Sequence, residues 1–176
     1  LSPTAQHEQI ALSVTQPAVP ASPLPEKALG FRIQEYGMRS YRDLYTNRQL
    51  VALKLFSELA SSAAGDIIND KEYLNAVETY LAFGASKLSD YNSAQTSWSA
   101  SRDQARSVFG RQAIPMVWDF TEVNPFAEAA GNIEVSLGGI ARAIERLPAK
   151  GRGVVLQVPA QKASEPQAAV VSTDPP

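Results

Sequence analysis

The sequence predicts an α/β protein, a mainly helical part followed by short strands, and three observations predict it. Apolar residues recur at helical spacing in several stretches from Thr46 onward, two short apolar runs lie near the C-terminus, and prolines at 3, 17, 20, 23 and 25 bar a long helix from the start. With 176 residues, 44 % of them apolar, the chain suits one ordinary domain with a real core.

Residues 1–45 are expected as an extended, Pro-rich arm. Within it, Ala28-Leu29-Gly30-Phe31-Arg32-Ile33-Gln34-Glu35-Tyr36-Gly37-Met38 alternates large and polar residues well enough for a short strand. Two readings stay open for this run: it packs on the body, or it is a surface linker ordered only by contact with it.

A helix is expected to open at Thr46, whose hydroxyl can cap the turn that starts Asn47-Arg48-Gln49. Val51, Leu55, Leu59 and Ala63 follow at steps of four, with Lys54, Glu58 and Ser61 on the other side. After Gly65 a second helix is predicted, capped near Asn69 or Asp70, with Tyr73, Leu74, Val77, Tyr80, Leu81, Ala85 and Leu88 on its apolar face. The short connection Gly65-Asp66-Ile67-Ile68-Asn69-Asp70 implies an antiparallel pair. Tyr73, Tyr80 and Phe83 are expected in core packing, with stacking on bases as the sharper alternative.

Residues 90–101 are polar and Ser-rich and predict a loop leading into a short helix over 101–109. There Arg102, Arg106 and Arg111 form either a basic edge facing phosphate or an ordinary solvated helix face with Asp103 among them. The run from Ile114 to Phe126 mixes bulky aromatics with Asp119, Glu122 and Asn124, and Pro115 and Pro125 forbid a continuous helix. It either shapes a pocket or makes an irregular packed connection. Ile133, Leu137, Ile140, Ile144 and Leu147 then mark one helical stripe that Pro148 closes, and Gly138-Gly139 inside it suggest close backbone packing against a neighbour. Residues 154–158 and 168–172 are predicted as short strands. Gly151-Arg152-Gly153 precedes a strand, the reverse of a phosphate-binding loop, and is expected to be a turn.

Composition narrows the function classes. Net charge is −2 with Lys and Arg spread, so charge alone announces no nucleic-acid surface. The absence of cysteine excludes disulfides and thiolate zinc sites, and His7 is the single histidine, so no metal is expected in these residues. No apolar stretch reaches membrane-spanning length, and Leu1-Ser2-Pro3-Thr4 has neither a methionine nor a basic leader. The expectation is a soluble, cytoplasmic chain without membrane contact, cut from something longer.

The last residues, Ser172-Thr173-Asp174-Pro175-Pro176, follow the apolar run Ala168-Ala169-Val170-Val171. Proline fixes φ, lacks an N–H and pushes its predecessor toward extended geometry, so Asp-Pro-Pro is a pre-shaped bend that presents acceptors. By itself it is equally an ordinary turn. A strand ending in Asp-Pro-Pro resembles the catalytic loop of amino-group DNA methyltransferases. The resemblance extends along the runs from Pro23 to Met38 and from Asp43 to Leu53, and through Trp118-Asp119-Phe120, Asn124-Pro125-Phe126 and Gly131-Asn132. Together these are similar to the middle of large prokaryotic adenine-specific DNA methylases that contain a zinc ribbon, over about residues 23–176.

The resemblance implies that Asp174, Pro175 and Pro176 form the catalytic acceptor loop and that 154–158 and 168–172 are neighbouring parallel strands of a Rossmann-like methyltransferase sheet, incomplete here. It also implies S-adenosylmethionine as cofactor and DNA as partner of the parent protein. The family's glycine-rich cofactor loop and zinc-ribbon cysteines precede the matched stretch and are not in this chain, so this segment is expected to be inactive in isolation. After the earlier strand, Val158-Pro159-Ala160 lacks the carboxylate that many amino methyltransferases carry there. The implied organisation is an arm (1–45), a helical insertion (46–110) and part of a catalytic domain (111–176). The rival reading is a non-enzymatic helical interaction module in which residues 46–88 present a partner-binding face and Asp-Pro-Pro is an ordinary tail.

Overall fold

The computed structural model describes residues 2–28, 30, 32–111, 113–148 and 157–159. Leu1–Arg146 form one compact unit and Leu147–Pro176 a second. The described regular structure, four α-helices and a two-stranded antiparallel sheet, lies in the first.

The expected arm is not extended throughout. The proline-free stretch after Pro3 forms helix α1 (Ala5–Ser13), closed by a capping box: the Thr4 hydroxyl accepts from the His7 N–H, and His7 Nδ1 accepts from the Thr4 N–H. No residue of α1 is buried, so capping rather than packing defines it.

The strand expected in the run from Ala28 to Met38 is replaced by a 3-10 turn, Ile33–Tyr36. Gly37 lies in the left-handed region at φ 94°, which turns the chain back so that the Met38 N–H reaches the Ile33 carbonyl at 3.3 Å. A reversal wins over the alternating pattern because it drives Ile33 fully out of water. A second 3-10 turn, Tyr41–Leu44, follows, and Asp43 Oδ2 accepts from the Arg39 and Ser40 N–H groups, each at 2.8 Å. Burial pushes the Asp43 carboxyl up, but those hydrogen bonds outweigh it and hold it below its ordinary value. Leu24, Ile33, Leu44 and Ile114 make the buried apolar cluster, with Met38, Tyr45 and Met116 against it. The arm therefore supplies much of this core, and residues on both sides of 45 and of 110 share it.

Helix α2 (Asn47–Ala60) starts where the Thr46 cap predicts, with Gln49 Oε1 returning to the Thr46 N–H at 2.8 Å. Helix α3 (Lys71–Tyr91) is capped by Asp70, whose Oδ1 accepts from the Glu72 and Tyr73 N–H groups. The two run antiparallel: the Tyr45 hydroxyl, just before α2, donates to the Ser89 carbonyl near the end of α3, while Leu59 and Ala60 share an apolar groove with Leu81 and Ala85. Helix α4 (Ile133–Arg146) packs across α3 after the cap Asn132, whose Oδ1 accepts from the Glu134 and Val135 N–H groups.

The close approach expected at Gly138-Gly139 occurs elsewhere. A Cβ on either would meet nothing nearer than the Arg142 side chain of the same helix. On α3, a Cβ at Gly84 would lie 2.6 Å from Leu137 Cδ2 of α4, so the small residue sets the spacing from the opposite helix.

The short helix expected over 101–109 is instead a hairpin of β1 (Trp98–Ser99) and β2 (Gln104–Ala105), with Trp98 opposite Ala105 and Ser99 opposite Gln104. Asp103 adopts φ 52°, a left-handed geometry that aspartate tolerates and a helix would not contain.

Candidate functional site

Asp174, Pro175 and Pro176 lie outside the described residues, as do 168–172 and, of the expected strand 154–158, Val154, Val155 and Leu156; Gln157 and Val158 carry no regular structure. The polar chemistry that the described residues bring together lies around the β1–β2 hairpin and the turn before it.

That turn is polar in sequence and buried in space. Asn92, Ser93, Gln95, Thr96 and Ser99 are all buried. Ser93 Oγ donates to the Leu44 carbonyl at 2.7 Å, and the Ala94 N–H reaches the same oxygen at 2.8 Å. Thr96 Oγ1 donates to the Tyr91 carbonyl at 2.8 Å and accepts from the Ser93 N–H at 3.3 Å. Asn92 Nδ2 spans two carbonyls, Leu88 at 3.1 Å and Gly131 at 3.3 Å. Gln95 Oε1 accepts from the Val117 N–H at 3.0 Å, while its Nε2 meets Met38 Sδ at 3.5 Å. Burial is tolerable because each of these side chains is answered by a partner.

Asp90 fixes the far end of the hairpin. Its carboxylate accepts from the Ser107 hydroxyl at 2.7 Å, the Phe109 N–H at 2.8 Å and Lys87 Nζ at 2.7 Å. Burial pushes the Asp90 carboxyl up, yet these donors together hold it below the ordinary carboxylate value; the same contact with Asp90 raises Lys87. Tyr45, half-buried beside Ser89, is pushed above the usual phenol value chiefly by its loss of water.

Two clefts flank the hairpin. One, of about 390 Å3, is lined by Tyr91, Ser99, Ser101, Arg102, Gln104 and Arg106 among others. The second, of about 500 Å3, is bordered by Gln95, Ser97, Arg106, Arg111, Ile114 and Val117. Arg106 lines both. Thus Arg102 borders the first cleft, Arg111 the second and Arg106 both, and the segment that carries Arg102 is a hairpin and not the expected helix. All three are exposed, and among the described residues none forms an ion pair; Arg48, by contrast, is paired with Glu122 at 2.5 Å and raised by that hydrogen bond.

The run from Ile114 to Phe126 does both things expected of it. Ile114 is core, Pro115 and Val117 border the second cleft, and Trp118 is 76 % exposed with its ring edge-on to Tyr36 at 5.0 Å. The aromatics of α3 depart from the expected core packing: Tyr73 and Phe83 are exposed, and Phe83 meets Tyr80 edge-on at 6.1 Å between ring centres.

Sequence reasoning missed the buried polar turn because a Ser-rich run ordinarily predicts a solvated loop. The available signal was Ser93 three residues before Thr96, a spacing at which hydroxyls bond to nearby backbone.

Among the described residues no three His, Asp or Glu side chains are placed to hold a metal ion, and no helix is long and apolar enough to cross a membrane. Among them, too, no strand, glycine-rich turn and helix occur in the order that cradles a nucleotide, so the described residues do not fit S-adenosylmethionine. No protein-family model matches the chain, and neither does any curated protein or solved structure.

Proposed function

We propose that this chain is the central segment of an S-adenosylmethionine-dependent DNA methyltransferase acting on the exocyclic amine of adenine, its strands 154–158 and 168–172 belonging to a Rossmann-like sheet. One observation carries the reading: the apolar run ending in Asp174-Pro175-Pro176, set in a resemblance that covers about residues 23–176. The adenine amine is a poor nucleophile because its lone pair is delocalised into the ring. Acceptors at both amine hydrogens draw that pair out of conjugation and aim it. The Asp174 carboxylate serves as one acceptor and a carbonyl of Pro175 or Pro176 as the other, and the two prolines hold the bend rigid. The methyl donor would supply an electrophilic carbon, bound by residues other than those described.

The test is methyl transfer by the longer protein that contains this segment, with adenine-bearing DNA and radiolabelled S-adenosylmethionine. Label should enter the DNA, and Asp174→Ala should lower kcat by about a hundredfold or more, since misplacing the amine forfeits its alignment. Transfer that is indifferent to Asp174→Ala would overturn the reading. The exposed Leu55, Leu59, Tyr73 and Phe83 on α2 and α3 favour a second reading, a helical interaction module, which gains if no label is transferred at all.

A further inference from the structure

We infer that the two clefts beside the β1–β2 hairpin form a binding site for the phosphodiester backbone of nucleic acid, with Arg102, Arg106 and Arg111 as its phosphate ligands. The inference deepens the proposed function by naming a surface that would hold the DNA, and it rests on that reading only for the choice of polymer.

Guanidinium presents several donors in a planar fork that matches phosphate oxygens, so three exposed arginines bordering two adjoining clefts are a strong anion-binding set. Among the described residues they are free of carboxylate partners, so no ion pair must break first. Asp90, whose partner Ser107 borders both clefts, is already engaged by Lys87, Ser107 and the Phe109 N–H. Only Asp103 opposes them within the hairpin turn, one carboxylate against three guanidiniums.

The backbone beneath Arg102 and Arg106 is anchored. The Arg106 N–H bonds to the Ser97 carbonyl at 2.9 Å, the Arg102 N–H bonds to the Ser99 carbonyl at 3.2 Å, and Ser99 and Ala105 are buried. Arginines anchored at the backbone lose less freedom when a ligand arrives than arginines on a mobile loop. Because Arg106 lines both clefts, with Arg102 on one and Arg111 on the other, the three cations are spread over two adjoining clefts, which suits a polymer with repeating phosphates better than one small anion. Trp98, half-exposed on β1, adds an aromatic face of the kind on which bases stack.

Fluorescence anisotropy of the full chain with a short labelled DNA duplex tests this between about 50 and 200 mM salt. Affinity should fall steeply with salt. Replacing all three arginines with alanine should weaken binding at least about tenfold and flatten the log–log salt slope by roughly two to three, near one for each phosphate no longer held. Arg106→Ala alone, at an exposed position, should weaken binding without moving the thermal midpoint, which guards against a triple variant that fails to fold. Parental affinity and slope in a folded triple variant, or no binding at the lowest salt, would overturn the inference. So would displacement of the duplex by millimolar inorganic phosphate or nucleoside monophosphate, which would mark a small-anion site. The assay contains no methyl donor: duplex binding that disappears with the arginines, beside methyl transfer indifferent to Asp174→Ala, would sink the proposed function and leave this site standing.

Discussion

The turns and irregular runs of this protein are better buried than its helices. Among the largest fully buried side chains, Ile33, Leu44, Ser93 and Thr96 lie outside the α-helices and Leu88 of α3 lies within one; helix α4, with a clear apolar stripe, buries no residue, and α2 and α3 leave Leu55, Leu59, Tyr73 and Phe83 exposed. Regular structure satisfies its own backbone and can stand half-dressed. Irregular chain cannot, so it is ordered only where side chains answer the backbone or apolar groups leave water together.

This contrast can be broken or sharpened in order of effect. Ile33→Ala should be the most damaging, costing about 2–5 kcal/mol in urea unfolding, because the cluster of Leu24, Ile33, Leu44 and Ile114 is small and a cavity there cannot be refilled cheaply. A loss below about 0.5 kcal/mol would mean that the irregular half is not the stability centre.

Asp90→Ala comes next, at about 1–2 kcal/mol, since it removes the charged acceptor that ties down the Phe109 N–H and the Ser107 hydroxyl. Its pH dependence has a fixed sign. The folded-state carboxyl lies below the ordinary aspartate value, so its contribution is present above that ordinary value and is lost as pH falls through the lower folded one. The variant should therefore lose its disadvantage in acid, measured as converging melting temperatures. Asp43, depressed in the same sense, remains intact in both proteins and leaves the difference unchanged.

The smallest effect is expected at Ile144→Ser on α4. The residue is 40 % exposed, and the change should stay within about 0.5 kcal/mol in urea unfolding of the chain alone. A loss of several kcal/mol would show that the stripe is covered in solution.

What the sequence made legible follows the same division. The caps at Thr46 and Asp70 and the helical stripes can be placed from residue type and spacing, since both are local. The polar burial of residues 92–99 depends on partners distant in the chain, Leu44 for Ser93 and Val117 for Gln95, and the reversal at Gly37 on the apolar cluster that takes in Ile33. Of the candidate site, the grouping of Arg102, Arg106 and Arg111 could be anticipated from their proximity in sequence, but not the clefts around them, because the helix predicted there turned into a hairpin. Gly84 shows the same limit: the glycine that a neighbour needs small is found on the helix opposite the one whose glycines attract notice.

The carboxamide of Asn92 joins the end of α3 to the approach to α4 through two carbonyl oxygens. Hydrolytic loss of ammonia there would exchange an N–H donor for a negative oxygen facing two acceptors, turning the join into a repulsion. Chemical ageing of a single side chain would thus loosen the seam between two helices without cutting the chain or touching an apolar neighbour.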